Sequence, residues 1–517
     1  MLLAPLAACL VGPDFKPPLA PVAERFLKAG GPVLAGSENY RDWWKSFNDP
    51  VLNRLIELAY AQNLTLLSAG TRVIEARAAL GIAIGEFYPQ QQQGVGGVAY
   101  NGESRTAAAS NRLAPRYFWT DDLAATVAWE LDFWGKFRRG VESADAAYLA
   151  SIATYDDVLV TLLGDVTTVY IGIRTSQQQI AIARDNLVKQ RKALAIATAR
   201  FTGGAASKLS VYQAENVLGQ TEAAIPQLQI QLDQGLNALR LLLGMTPQSL
   251  DGLLSGSTGI PVPPRTVAVG IPADLVRRRP DIRAAELAAA AQSAQIGFAE
   301  ADLYPAFTLT GSFGASASTV ARATLGDVFA AKGLAFAFGP SFSWNILNYG
   351  QITNNVRVQD AKLQGLLVDY QNTVLKAQKE VEDGLATFLD SQRQVAALRR
   401  SVAAANAALG IALIEYNLGT RDFTTVLTAE QNLYTAENDL AVASGNVSAG
   451  LTAVFRALGG GWQIREGGDF VTPATRDEMR SRTDWGNVLP PAGQPQPQAP
   501  GLPSSDDIGP RVRAPEW

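Results

Sequence analysis

The chain has 517 residues, of which 47% are hydrophobic and 18% are charged, and its net charge is −4. Soluble proteins average about 25% charged residues, and no basic stripe points to a nucleic-acid partner. Histidine is absent and cysteine occurs once, which excludes histidine-based acid–base catalysis, the common zinc sites and a disulfide within the chain. The glycine-rich nucleotide loop that ends in Gly-Lys-Ser/Thr is also absent. We therefore expect no enzymatic activity, no metal and no cofactor.

The N-terminus resembles the cleavage region of a bacterial lipoprotein signal. Leu-Ala-Ala at residues 6–8 precedes Cys9, and in such a motif the signal is cut before a cysteine that then carries lipid. The preceding residues lack the basic segment and the apolar run of about 7–15 residues that a secretory signal has, so we expect the true start to lie upstream. We predict a signal remnant at 1–8, a covalent lipid on Cys9 and an extended, proline-rich tether at 9–40. An ordinary buried cysteine is the alternative.

Four segments show the alternation of apolar with small or polar residues that is typical of β-strands. The clearest is 336–346, where Phe, Pro, Trp and Ile alternate with Ala, Gly, Ser and Asn, and residues 123–131 and 307–313 follow the same rule. A glutamine- and glycine-rich stretch at 90–97 leads into the fourth strand, around 98–100. Strands of about ten residues match a tilted crossing of a bilayer. Outside the N-terminus, no uninterrupted run of about 18 apolar residues predicts a membrane-spanning helix.

Apolar residues at steps of three and four predict two long helices, one after Gly135 and one after Gly350. No proline interrupts either seam, so the second can be one helix of roughly 65 residues, ~100 Å long. The first ends near Gly203, and a return helix follows at 209–243, in which we expect a kink or break at Pro226. The second seam consists of Leu363, Leu367, Tyr370, Val374, Ala377, Val381, Leu385 and Phe388.

The same order of elements occurs twice, which indicates a tandem duplication. Tyr88 and Tyr304 are 216 residues apart and each precedes a proline, and Gly135 and Gly350 are 215 residues apart. Each unit reads as helix, strand, strand, long helix and return helix, and an earlier helical region at 43–87 opens the first unit. The predicted domains are the first repeat at 41–249, a linker at 250–272, the second repeat at 273–460 and an extension at 461–517 that is disordered from about residue 489.

Two membrane strands in each unit are too few to close a barrel. About eight strands form the smallest filled barrel, and an open edge in lipid would leave backbone groups unpaired. We therefore expect several chains to pool their strands. The long helices carry apolar residues on the seam and on its flank, so we expect them to form a ring with neighbours on both sides. A barrel continued by a helical ring is a tube, whose function is conduction, whereas a soluble β-core and a plain coiled coil are the alternatives for each pattern alone.

Three local patterns carry a resemblance to a known family. They are Cys9 followed by Val-Gly-Pro-Asp-Phe-Lys-Pro at 11–17, Trp44 and Phe47 before Asp-Pro-Val-Leu at 49–52, and the arginine-rich segment at 272–286. With them the chain, over roughly residues 9–460, resembles the TolC-like outer-membrane factors, in the lipoprotein branch that serves RND-type tripartite efflux pumps and includes the NodT proteins.

The resemblance implies an α+β membrane protein that works as a homotrimer. It implies a twelve-stranded barrel in the bacterial outer membrane, anchored by lipid and continued by a twelve-helix tunnel through the periplasm. The expected partners are outer-membrane lipid, a periplasmic membrane-fusion adaptor and an inner-membrane RND-type transporter. The expected function is passive exit of small molecules such as drugs and toxic compounds. The alternatives are a duct for protein secretion and a coiled-coil scaffold of the envelope.

By the same resemblance, the turns between the long and the return helices form the periplasmic tip. Gly203 and Gly204 in the first repeat, and Gly419 and Thr420 in the second, would contact the adaptor. Some family members bind cations at this aperture through aspartate rings. Thr425 and Thr428 stand at those positions here, so no metal site is predicted there.

Three residues of the second turn are the predicted gate. Tyr416 and Arg421 match a tyrosine and an arginine that hold the tip closed in the family, and Asp422 is the acidic residue beside them. An arginine at a helix turn can bond to carbonyls or carboxylates of an adjacent helix. Replacing Arg421 by alanine is therefore predicted to loosen the closed tip, whereas a solvent-exposed arginine is the alternative.

Overall fold

The structure is a computed structural model, and it describes residues 10–28, 33–34, 40–104, 106, 115–257, 259–270, 272–321 and 323–489. Cys9 lies outside these residues, as does the tail beyond Leu489 that is predicted to be disordered. Both predictions therefore stay predictions.

Four strands form one antiparallel sheet, and it joins the two repeats. Its order is β2, β3, β5, β6, so the second strand of the first repeat pairs with the first strand of the second repeat, and Thr126 is opposite Ser312. A separate parallel pair, β1 with β4, ties the N-terminal segment to the linker. The strands are β1 (Val33–Leu34), β2 (Gln91–Gly102), β3 (Tyr117–Leu131), β4 (Val267–Ala268), β5 (Ala306–Ser318) and β6 (Leu334–Ser343).

Two strand boundaries differ from the prediction. Strand β2 begins at Gln91, within the glutamine-rich stretch, because those residues pair with β3 through their backbone and a side-chain amide does not prevent that. Trp344 and Ile346 lie beyond the end of β6. The chain turns there, since the Ile346 amide donates to the Trp344 carbonyl at 3.0 Å and the Trp344 indole donates to the Leu303 carbonyl at 3.0 Å.

Four of the helices exceed 30 residues. The helices of the described chain are α1 (Pro50–Gln62), α2 (Leu64–Phe87), α3 (Lys136–Thr202), α4 (Lys208–Leu242), α5 (Asp251–Leu254), α6 (Pro272–Arg278), α7 (Pro280–Glu300), α8 (Gln351–Asn417), α9 (Phe423–Ala457) and α10 (Pro473–Arg482). Short 3-10 segments lie at Tyr40–Phe47, before α1, and at Trp462–Arg465, between α9 and α10.

The duplication is visible in the helix bounds. Helices α3 and α8 both have 67 residues, and α4 and α9 both have 35 residues. Helix α8 begins 215 positions after α3, and α9 begins 215 positions after α4. The prediction of long helices is therefore confirmed.

Of the kink or break predicted at Pro226, a break is excluded, because α4 is continuous through that residue. Pro226 lies on the exposed face of the helix. A carbonyl that loses its amide donor on that face can bind water instead, so the helix can continue at a modest cost.

The long helices α3 and α8 organise two layers of four helices each. Next to the sheet, neighbouring helices lie in the order α2, α3, α7, α8, and away from it in the order α4, α3, α9, α8. The outermost helices are α2 and α8 in the layer next to the sheet, and α4 and α8 in the other layer.

Between the layers, an aromatic core holds the first 3-10 segment against α9. Trp43 stacks on Phe455 at 5.3 Å between ring centroids, and Trp44 packs edge-on against Trp43. Asp49 caps α1 through the Val51 amide at 2.8 Å and also accepts a hydrogen bond from the Tyr170 hydroxyl at 2.8 Å. The Trp and Asp residues of the second family pattern thus have a structural role.

Two helices, α3 and α8, each contain an 18-residue window that is apolar enough to cross a membrane, judged by length and composition alone. The window in α3 is mostly buried inside the protein, and the window in α8 is mostly exposed. These windows have a high mean hydropathy although polar residues are scattered within them. No membrane-spanning helix was predicted there from the sequence, because that prediction requires an uninterrupted apolar run. The window in α3 belongs to the seam that packs on neighbouring helices.

Candidate functional site

The sheet has one apolar face and one polar face, and the apolar face is open to the surroundings. Val127, Gly311 and Phe338 are paired across β3, β5 and β6, while the adjacent row on the other face is Thr126, Ser312 and Ala337. The apolar face is unusually exposed, with Phe336 74% accessible. A large exposed apolar surface on antiparallel strands suits contact with lipid, and the polar face suits contact with water.

Indole rings mark the end of the sheet where the long helices begin. The Trp134 Nε1 donates to the Pro305 carbonyl at 2.9 Å and its ring stacks on Tyr304 at 4.7 Å, and the Trp129 Nε1 donates to the Phe87 carbonyl at 3.3 Å. Tryptophan and tyrosine are enriched at membrane–water interfaces because their rings are apolar and their tips are polar. This row indicates one boundary of the membrane-facing sheet.

The N-terminal segment docks at this boundary. The Val11 amide donates to the Trp134 carbonyl at 3.1 Å. The buried Arg139 donates to the Val11 carbonyl at 3.1 Å, to the Gly12 carbonyl at 3.2 Å and to the Asp14 carboxylate at 2.8 Å. Residues that directly follow Cys9 are thus held beside the aromatic row.

At the other end of the long helices, both turns have the same backbone. Gly204 and Gly419 have φ angles of +74° and +75°. The next amide in each turn, from Ala205 or Thr420, donates to the carbonyl five residues earlier, at 2.8 and 3.0 Å. This is the Schellman ending, which favours glycine because a side chain strains a left-handed residue. Gly204, rather than its predicted counterpart Gly203, therefore corresponds to Gly419.

Tyr416 connects the two turns. It is buried, and its ring lies 5.1 Å from the ring of Phe423. The guanidinium of Arg200, in the last turn of α3, lies 4.5 Å from the Tyr416 ring centroid, and its Nη1 donates to the Tyr416 carbonyl. Arg200 thus ties the end of the first-repeat hairpin to the end of the second.

Arg200 was missed because no local pattern marks it. Two signals could have found it. Cations are favourable in the last turn of a helix, where carbonyls lack amide partners. The repeat spacing also aligns Arg200 with Glu415, so charges of opposite sign stand at equivalent positions beside an aromatic residue.

The other predicted residues of the tip bond within their own turn. Arg421 is 63% exposed in its side chain and lies 3.3 Å from the Glu415 carboxylate. The Thr420 hydroxyl donates to the Glu415 carbonyl at 2.9 Å, and the Asp422 carbonyl accepts from the Thr425 amide at 3.1 Å. Exposed ion pairs contribute at most about 1 kcal/mol. In the single chain, the strong tie between the hairpins therefore belongs to Arg200 and Tyr416.

A groove of about 850 Å³ runs between α8 and α9 close to the tip. Its lining is mainly alanine, serine and threonine, and it includes Thr425 and Thr428, where no metal site is predicted. The Thr428 hydroxyl donates to the Thr424 carbonyl of its own helix at 2.9 Å. The groove therefore offers mainly small side chains.

A membrane-facing strand sheet continued by paired helices of this length defines the class: an α+β subunit of a channel with a long helical barrel. The family model described as "Outer membrane efflux protein" matches residues 55–245 and 271–460, that is, both repeats. The chain belongs to this family.

Relatives and solved structures agree with this assignment. The chain is 32% identical over 438 residues to Nodulation protein T of Rhizobium leguminosarum bv. viciae, which covers 85% of this chain and 88% of the relative. It is 29% identical to outer membrane protein OprJ of Pseudomonas aeruginosa over 88% of this chain and 94% of the relative. The solved outer-membrane channel OprN superposes with a TM-score of 0.82 at 30% identity, covering 88% of this chain and all of that one.

Proposed function

We propose that the protein is the exit duct of a tripartite efflux pump, and that it conducts small molecules passively from a periplasmic adaptor and an RND-type inner-membrane transporter to the exterior. The observation that carries the proposal is the sheet, whose exposed apolar face needs lipid and whose polar face needs water. Strands β2 and β6 end the sheet without a further strand in the described chain. A closed wall therefore requires other copies.

The helices support the same assembly. In the single chain, the outer flank of α8 exposes Leu375, Ile411 and Ile414, and α4 exposes Tyr212 and Ile230. A copy rotated about a common axis would bring β6 to β2, and α8 to α2 in one layer and to α4 in the other. Every layer would close by the same heterologous contact, which generates a ring. Three copies would supply twelve strands.

The native mass of the detergent-extracted protein tests this assembly. We expect light scattering, corrected for bound detergent, to give a protein mass near three times the 55.0 kDa chain. The species should be mainly helical, as the single chain is, and should resist heating, because closing the barrel pairs both sheet edges. A monomeric mass would contradict the duct and would favour the envelope scaffold.

The tip is proposed to be the closed end of the duct and the point of adaptor contact. The glycine turns at 203–204 and 419–420 expose their backbone there, and the groove between α8 and α9 offers small side chains for a partner helix. Tyr416, Arg421 and Asp422 are proposed to form the gate together with Arg200. Adaptor binding would open the tip by exchanging the bonds between the hairpins for bonds to the partner.

Cys9 is proposed to carry the lipid. Arg139 and Trp134 hold the following residues at the aromatic row, which is the membrane boundary of the proposed duct. Replacing Cys9 by serine should abolish incorporation of labelled fatty acid and leave the trimer mass unchanged. A serine variant that still takes up the label would rule out this site.

A further inference from the structure

Polar side chains connect α3 and α9 along the part of the helices that leads to the tip. The Gln179 Nε2 donates to the Asn438 Oδ1 at 2.9 Å, and the Asn186 Nδ2 donates to the Glu437 carboxylate at 3.1 Å. The helices are antiparallel, so residues further along α3 meet residues earlier in α9. The two bonds place Gln190 of α3 level with residues 427–433 of α9, and Glu430 lies in the middle of that range. The register therefore puts Gln190 and Glu430 at the next polar rung.

This rung contains two buried acceptor oxygens. Gln190 is 3% exposed and Glu430 is 2% exposed. The Gln190 Oε1 and the Glu430 Oε2 have no hydrogen-bond partner among the described residues. An ionised carboxylate and an amide oxygen both accept hydrogen bonds, so neither can satisfy the other. A single proton on Glu430 provides the missing donor. Leaving both oxygens unpaired in the interior would be costly.

We propose that Glu430 is a proton-binding site, whose protonated carboxyl donates to the Gln190 amide oxygen and holds α9 against α3. When the proton leaves to solvent, the carboxylate is buried without a donor, so the contact between the hairpins weakens. The consequence for conduction rests on the proposed closure of the tip, whereas proton binding itself does not.

The electrostatic surroundings support a neutral Glu430. Burial raises the pKa of Glu430 to about 7, and the charge of Lys189 lowers it only in part. On α8, residues 401–414 contain no ionisable side chain. The other charged groups on neighbouring helices are engaged or exposed. They are Lys189, paired with Asp185 at 2.7 Å, Glu222, paired with Arg191 at 3.0 Å, the exposed Glu215, and Glu437, bonded by Asn186.

The direction of the pH dependence follows from the raised pKa. A glutamate has an ordinary pKa of 4.5, and the folded protein holds the proton of Glu430 up to about pH 7. Its contribution to the α3–α9 contact is therefore complete below pH 4.5 and is lost as the pH rises through 7. The helical contact should be tighter in a mildly acidic periplasm than in an alkaline one.

Infrared and thermal measurements on the detergent-extracted protein test the proposal without transport. Glu430→Gln keeps the shape and supplies a permanent amide donor. Glu215→Gln is the matched control, because Glu215 is the counterpart of Glu430 in the first repeat and is exposed. At a pH of about 5.5, wild type should show the carbonyl band of a buried protonated carboxyl group. Glu430→Gln should reduce that band relative to wild type, and Glu215→Gln should leave it unchanged.

Thermal unfolding gives the second readout. Wild type and Glu215→Gln should melt several degrees lower at a pH of about 8 than at about 5.5, whereas Glu430→Gln should show a smaller difference between the two pH values. Gln190→Leu should shift the band, since the carboxyl loses its acceptor. A Glu430→Gln protein with the wild-type band, or with the wild-type pH dependence, would overturn the proposal. The native mass is unaffected by either outcome, so failure of this proposal and failure of the duct can be told apart.

Discussion

Replacing Arg200 by alanine should raise the open fraction of the channel in planar bilayers at least ~30-fold, because each chain loses two interactions that join the hairpins at the tip. A hydrogen bond from a charged donor contributes about 1.5–3 kcal/mol, and a cation–π contact contributes about 0.5–2 kcal/mol. Arg200 makes both with Tyr416. A total of about 2 kcal/mol for each chain is therefore a cautious expectation.

Arg421→Ala is the matched control for Arg200→Ala. Both variants remove one arginine from the tip, but Arg421 is exposed and pairs within its own turn. We expect a several-fold smaller change in conductance and in uptake of bulky antibiotics. If Arg421→Ala opens the channel as strongly as Arg200→Ala, the closure depends on contacts between chains at Arg421. If neither variant changes conductance, the tip is not the gate.

Replacing Asp156 by alanine should destabilise the protein by about 3–5 kcal/mol, because it leaves a buried guanidinium without its carboxylate. Asp156 of α3 binds Arg465 through two hydrogen bonds, one of 2.9 Å from Nη2, and the side chains are 5% and 4% exposed. Arg465 belongs to the segment after α9, so the pair fixes the C-terminal extension to the core. In thermal unfolding of the detergent-extracted protein, Asp156→Ala should have a clearly lower melting temperature than wild type.

Asp165→Ala provides the matched control for this effect. Asp165 lies on the same helix and also pairs with an arginine near the end of α9, Arg456 at 3.0 Å, but both side chains are nearly half exposed. The expected loss is at most about 1 kcal/mol. Equal losses of stability in Asp156→Ala and Asp165→Ala would show that burial does not determine the strength of these ion pairs.

The sequence was sufficient for the elements whose signal is periodic. The seam from Leu363 to Phe388 and the alternation before Ser343 each repeat over many residues, so helix α8 and strand β6 were predictable. Where one residue departs from the pattern, the prediction was weaker. Pro226 does not end α4, and Gln91 is part of β2, because tertiary contacts outweigh local preference.

The contacts at the tip and above it could not be predicted in the same way. Arg200 and Tyr416 are 216 residues apart, and Gln190 and Glu430 are further apart still. Their meeting depends on the register between two helices, which composition and periodicity do not contain. The family patterns identified Tyr416, because its neighbours are typical of the family, but they gave no information about its partner in the first repeat.

The 215-residue spacing of the two hairpins also has an evolutionary consequence. In a ring built from a single ancestral unit, each turn would carry the same side chains, so arginines would stand at the positions of both Arg200 and Glu415. Fusion of two units into one chain removed that constraint. The first copy could keep a cation, Arg200, which contacts Tyr416, while the second carries an acidic residue, Glu415, at the equivalent position. Divergence between paralogous halves thus allowed complementary chemistry at a junction that strict symmetry would have kept alike.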